Sequence, residues 1–220
     1  MFTSGGSSPV ARRGWKLIER CAIAGIGTGV GKTLVSALLV ERLGASYWKP
    51  IQAGGLVHTD TDEVRRLVTL SRARFLPEAY SLQAAMAPDA AAAREGITIG
   101  KESLRLPNVE GPLVVEPAGG VLVPVADNLL NIDLLKYWNL PVVVVSNYYL
   151  GSINHTLLTV EALKSRDLPL AGIVFNGERN DDSRGVILRE TGMKCLLDLP
   201  NLRQPVSPGH VKAYAQRIDL

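Results

Sequence analysis

The sequence predicts a single α/β domain, a mainly parallel β-sheet flanked by helices, and three observations carry that expectation. Runs such as "PLVVE", "PVVVVS" and "LAGIVFN" are apolar at almost every position, as strands are when helices cover both faces of a parallel sheet. Segments with helical periodicity separate those runs, and such β–α alternation brings successive strands together through crossover helices. Near the start, the glycine-rich "GIGTGVGKT" joins a strand-like run to a helix-like one.

Taken in order, the opening "MFTSGGSSPVARRGWK" is Gly/Ser-rich, without acids, and develops no apolar face. Residues 1–18 therefore read as a flexible extension or tag sequence, with a targeting peptide as the alternative, and residues 19–220 as one domain. After the loop, "TLVSALLVERLG" sets Leu34 against Leu38 and Val35 against Leu39, then stops at Gly44, a good residue for a helix C-terminus. "ASYWK" and "KCLLDLP" complete the set of strands. Helices are expected over residues 79–94, with Pro88 breaking or starting one, and over 131–138, 154–165 and 182–191. No internal repeat or linker divides the chain.

A chain of 220 residues with 46% hydrophobic and 20% charged residues suits one globular domain with a real core. A net charge of +3 with scattered Lys and Arg makes no electrostatic case for nucleic acid or an acidic membrane. No run approaches the ~18 apolar residues of a membrane span, so a soluble, cytoplasmic protein is expected. Cys21 and Cys195 lie in apolar runs without metal-ligand spacing and read as buried thiols in a reducing compartment. His58, His155 and His210 form no visible metal or nucleophile constellation.

The loop carries the chemistry. Glycines let successive backbone N–H groups curl inward, and the helix N-terminus behind adds positive dipole, so the natural guest is a phosphate chain. The usual spacing is G-x-x-x-x-G-K-[ST]; here Ile26 stands where its first glycine belongs, and counting from Gly25 gives a loop one residue longer. A P-loop NTPase-like domain is expected, with Lys32 reaching the β/γ-phosphates and the Thr33 hydroxyl ligating Mg²⁺. Partitioning ATPases with K-G-G-x-G-K-T loops carry a lysine where Gly27 stands, which argues against that class.

Beyond the loop come "YWKPIQAGG", "TDTDEVRRL", "VEPAGGVLVPV", "GSINHTLL" and "AGIVFNG". Together with the longer loop and in this order, they resemble the dethiobiotin synthetase family from about Cys21 to Pro200. The resemblance implies formation of dethiobiotin from 7,8-diaminononanoate, CO₂ and ATP. It implies Lys32, Lys49 and Thr28 as catalytic residues. Gly27, Thr28, Gly29, Val30, Gly31, Lys32 and Thr33 would hold ATP, with Asn176 reading the adenine edge. Thr33, Asp62 and Glu116 would hold Mg²⁺, with Asp60 able to substitute for Asp62. Gly151, Ser152, Ile153 and Asn154 of a partner subunit would hold the substrate carboxylate, Asn154 capping the helix, in a homodimer with a shared site. Glu116 is expected at an exposed strand end, because an isolated buried carboxylate is costly.

Asn176-Gly177 is equally a turn signal, and Asp62 equally a helix N-cap or solvated loop acid. Three positions depart from the family pattern: Gly29 for an acid, Ala53 for a hydroxyl residue and Pro117 for a glycine. The alternatives are a related ATP-dependent ligase or amidotransferase-type synthase acting on another carboxylate, and a regulatory or assembly ATPase.

Overall fold

The computed structural model describes residues 18–202 and 204–220; most of the expected N-terminal extension lies outside them. The chain runs β1 (Arg20–Gly25), α1 (Lys32–Leu43), β2 (Ser46–Trp48), β3 (Ile51–Ala53), α2 (Asp60–Leu67), β4 (Phe75–Leu76), β5 (Tyr80–Leu82) and α3 (Pro88–Arg94). It continues β6 (Leu113–Val115), β7 (Pro124–Ala126), β8 (Leu129–Leu130), α4 (Asn131–Trp138), β9 (Val142–Asn147), α5 (Ser152–Lys164), β10 (Leu170–Asn176), α6 (Asp181–Thr191), β11 (Cys195–Leu199) and α7 (Pro208–Ala215).

Seven strands form one sheet in the order β11-β10-β9-β1-β6-β2-β4, with every pairing parallel. Alternation along the strands explains why they read as continuous apolar runs. In β1, Cys21 and Ile23 join the core beneath α1, α2 and α7, while Ala22 and Ala24 join the opposite core beneath α3, α4, α5 and α6. Val143 and Val145 in β9 face the first core, Val142 and Val144 the second. Full burial of each valine side chain stabilises the fold by roughly 1.5–3 kcal/mol, so both faces of the sheet hold the layers together.

Some expectations need correction. Residues 79–94 are not one helix: β5 pairs with β3, and a helix begins only at Pro88, whose fixed φ and missing N–H suit a first helical turn. The helix expected from Asn154 begins at Ser152 behind Gly151, whose φ of +101° supplies the N-cap. Asn154 therefore lies inside the helix rather than capping it. Cys21 is buried as expected, but Cys195 is only half-buried, at the start of the edge strand β11. Helices α2 and α7 and the small pairs β3/β5 and β7/β8 add to the expected elements. Among the described residues no helix is long and apolar enough to cross a membrane.

Candidate active site

From β1 the chain passes through α1 to β2 on one side of the sheet, whereas from its neighbour β9 it passes through α5 to β10 on the other, so the connections from two adjacent strands run in opposite directions. That reversal opens a crevice beyond the strands' carboxyl ends, where parallel sheets place their ligands. There the chain turns through Ile26–Gly31 into α1, pinned by Val30, whose side chain is buried in the core. Gly31 has φ +100°, and a Cβ at that position would collide with the Asn176 amide, so glycine is required twice over. α1 has no side-chain cap and no acid in its first turn, which leaves its first N–H groups for an anion.

Lys32 and Lys49 converge in a cavity of about 670 Å³, which Thr28, Gly29, Gly31, Thr33, Asp60 and Glu116 also line. Lys32 Nζ donates to Gly27 O at 3.0 Å, and burial lowers its pKa to about 8. Lys49 follows β2 directly, with Pro50 stiffening the exit, and is 3% exposed rather than a solvated strand-end lysine. Its ammonium lies 2.6 Å from Asp60 Oδ2 and 3.3 Å from Glu116 Oε1. Burial disfavours that charge, but the two carboxylates outweigh it and hold the Lys49 pKa above its ordinary value. Burial likewise disfavours the Asp60 carboxylate, and Lys49 outweighs it, keeping Asp60 below the ordinary range.

Glu116 follows β6 but is not at an exposed end; it is 1% exposed. Its burial is tolerated because four side chains satisfy it. Oε2 accepts from Ser36 Oγ at 2.7 Å and Tyr47 OH at 2.9 Å, while Oε1 lies 3.0 Å from Thr33 Oγ1 and near Lys49. Thr33 Oγ1 also lies 3.1 Å from Asp60 Oδ1. One hydroxyl oxygen and two carboxylate oxygens thus converge on one point, a hard-oxygen set that suits Mg²⁺, which commonly uses one or two carboxylates and completes its shell with phosphate oxygens and waters.

Asp62 is not part of this set. Its Oδ2 accepts from Thr59 N and Thr59 Oγ1 in a capping box, and its Oδ1 accepts from Arg65 at 2.6 Å. The third helical position must turn its side chain back toward the N-cap, whereas Asp60, the first residue of α2, faces Lys49. The spacing Thr59-x-x-Asp62 carried this signal. Ser36 is one turn beyond Thr33, and Tyr47 shares a strand face with Lys49 two residues on, but neither spacing names Glu116 as their partner.

Asn176 ends β10 behind the loop, and its Nδ2 donates to Val30 O at 3.0 Å. The following Gly177 has φ +112°, so the turn reading also holds. Gly151, Ile153 and Asn154 do not line the lysine cavity; they line another, of about 840 Å³, with Tyr148, Leu150 and Arg179. Ser152 is buried beside them, its Oγ without a hydrogen-bond partner.

Residues 19–208 match a family profile described as an AAA domain. The chain is 46% identical over 202 residues to the ATP-dependent dethiobiotin synthetase BioD of Cytophaga hutchinsonii, covering 91% of this chain and 97% of that protein. Identity to the protein of the same name from Rhodopseudomonas palustris (strain HaA2) is 44%, over 90% of this chain and 92% of that one. For Brucella ovis it is 43%, over 84% and 87%. Likeness along nearly the whole of each relative is common descent of a whole domain rather than of one loop, and the chain belongs to the ATP-dependent dethiobiotin synthetase family.

Proposed function

We propose that the chain is an ATP-dependent ligase that converts 7,8-diaminononanoate and CO₂ to dethiobiotin, releasing ADP and phosphate. One amine adds to CO₂ and loses a proton, giving a carbamate. A carbamate oxygen takes the γ-phosphoryl group of ATP, and ADP departs. The second amine then attacks the carbonyl carbon of the mixed anhydride, expels phosphate, loses a proton and closes the cyclic urea. Negative charge is created or moved at each step, so the chain's task is to set cations and N–H donors around it rather than to supply a nucleophile.

The backbone of Gly27–Gly31, with Thr28 at the exposed crest, wraps the phosphates at the α1 N-terminus. Lys32 leaves Gly27 O to meet the β/γ-phosphates, and Lys49 meets the carbamate and the transferring phosphoryl group. Asn176 spends one N–H on Val30 and retains one donor and one acceptor for an adenine edge. Thr33, Asp60 and Glu116 would hold Mg²⁺, which would supply charge neutralisation along the phosphates. Gly151–Asn154 of a second copy would bind the substrate carboxylate at the α5 N-terminus, making a homodimer with shared sites in the cytoplasm.

The observation that carries this reading is Lys49, buried and held by Asp60 and Glu116 in the cavity that Lys32 also lines. Mass-spectrometric analysis after incubation with diaminononanoate, bicarbonate, Mg²⁺ and ATP tests it. Dethiobiotin and ADP are expected in equal amounts; absence of dethiobiotin sinks the reading.

A further inference from the structure

The two oxygens of Glu116 keep different company. Oε1 looks into the cavity, toward Thr33 and Lys49, while Oε2 looks away and meets only neutral hydroxyls, Ser36 at 2.7 Å and Tyr47 at 2.9 Å. Both hydroxyls belong to rigid elements, Ser36 to α1 and Tyr47 to β2, and both residues have no exposed surface. Neither side chain lines the cavity. Two donors on one oxygen fix the rotation of a carboxylate about its Cγ–Cδ bond. Being neutral, they do so without cancelling the charge that Oε1 presents.

We propose that Tyr47 and Ser36 are positioning residues for the phosphoryl-transfer step, locking Glu116 so that Oε1 alone faces the metal and phosphates. The assignment rests on the reading of Glu116 as a metal carboxylate. With the clamp loosened, Glu116 can rotate and share both oxygens among Thr33, Lys49 and the metal, and the ordered set disperses. Outer-shell partners of this kind typically change metal affinity by ~10–100-fold when removed. Tyr47→Phe keeps the ring in the core beneath α1, α2 and α7 and removes only the hydroxyl. Ser36→Ala makes the equivalent change from a different element.

The test is Mn²⁺ binding to the full chain in the presence of ADP, followed by electron paramagnetic resonance, with thermal denaturation as a fold check and Glu116→Gln as reference. Tyr47→Phe and Ser36→Ala are each expected to weaken Mn²⁺ binding about tenfold. Their turnover should recover at high Mg²⁺, with the diamine KM unmoved, a rescue that a merely structural defect would not show. Unchanged Mn²⁺ binding in folded Tyr47→Phe and Ser36→Ala, with weakened binding in Glu116→Gln, overturns the positioning role and leaves Glu116 at the metal. Unchanged binding in all three overturns the metal reading and the positioning role together. Should Tyr47→Phe not fold, Ser36→Ala decides between the same outcomes.

Discussion

Lys49 Nζ sits 2.6 Å from Asp60 Oδ2, joining the end of β2 to the first residue of α2. The pair sets a cation in the wall of the cavity that Lys32 also lines, joining a strand to a helix. Truncating Lys49 removes the only lysine that meets both Asp60 and Glu116 among the described residues. Lys49→Met is expected to lower kcat/KM roughly a hundredfold, about 3 kcal/mol, while ATP affinity changes little. Steady-state kinetics beside ATP titration checks this; near-normal turnover would remove Lys49 from the chemistry.

Asp60 and Asp62 separate cleanly by substitution. Asp60→Asn takes charge from the oxygen set around Thr33 and is expected to raise the Mg²⁺ requirement tenfold or more, as an order-of-magnitude figure. Asp62→Asn weakens the α2 capping box and its contact with Arg65, so it lowers Tm slightly and leaves the metal titration alone. The reverse pattern in a Mg²⁺ titration would restore Asp62 to the site.

Lys32 gives the free protein a pH dependence. Burial pulls its pKa from 10.5 to about 8, so the ammonium dominates below that pH and is lost above it. Phosphate binding that needs the ammonium takes up a proton at higher pH, and ATP affinity falls from pH ~7 to ~9, toward about tenfold per unit above pH 8. Calorimetry in buffers of different ionisation enthalpy measures that uptake; Lys32→Arg, always charged, should flatten the curve. The sign for folding is opposite. Between about 8 and 10.5 the unfolded chain holds a proton that folded Lys32 lacks, so this group's contribution to stability rises with pH.

The proposed homodimer can be tested at the α5 N-terminus. Leu150 is fully exposed, and Leu158, Leu122 and Tyr149 are exposed too. Ile153→Asp is expected to weaken diamine binding at least tenfold more than ATP binding, a rough figure of 1.4 kcal/mol, and to shift the chain toward monomer in sedimentation velocity. A folded monomer of the unaltered chain with full diamine affinity at low concentration would end the shared-site reading.

Much of the fold was legible because its signals are local. The six-residue apolar run of β9 and the Gly-Lys-Thr start of α1 each specify their conformation within a few neighbours. The loop, Lys32 and Thr33 could be singled out for the same reason, whereas Lys49 and Glu116 became candidates only through the family resemblance. α2 stayed hidden because its charged sequence lacks a long apolar stripe, although Thr59 and Asp62 carried its start. β4 and β8, two residues each, are too short for alternation to show, and exist because a neighbouring strand pairs with them.

By itself, then, the sequence determined the parallel α/β layering and the kinds of side chain available at the strand ends, since both follow from periodicity and residue chemistry. Tertiary structure alone decided which acid faces Lys49, why Glu116 can be buried, and that Tyr47 and Ser36 hold it. Those outcomes depend on the phase of α2 against β2 and on the approach of α1 to β6. Partners separated by 27 to 83 positions meet there, and no local pattern encodes the angle at which they arrive.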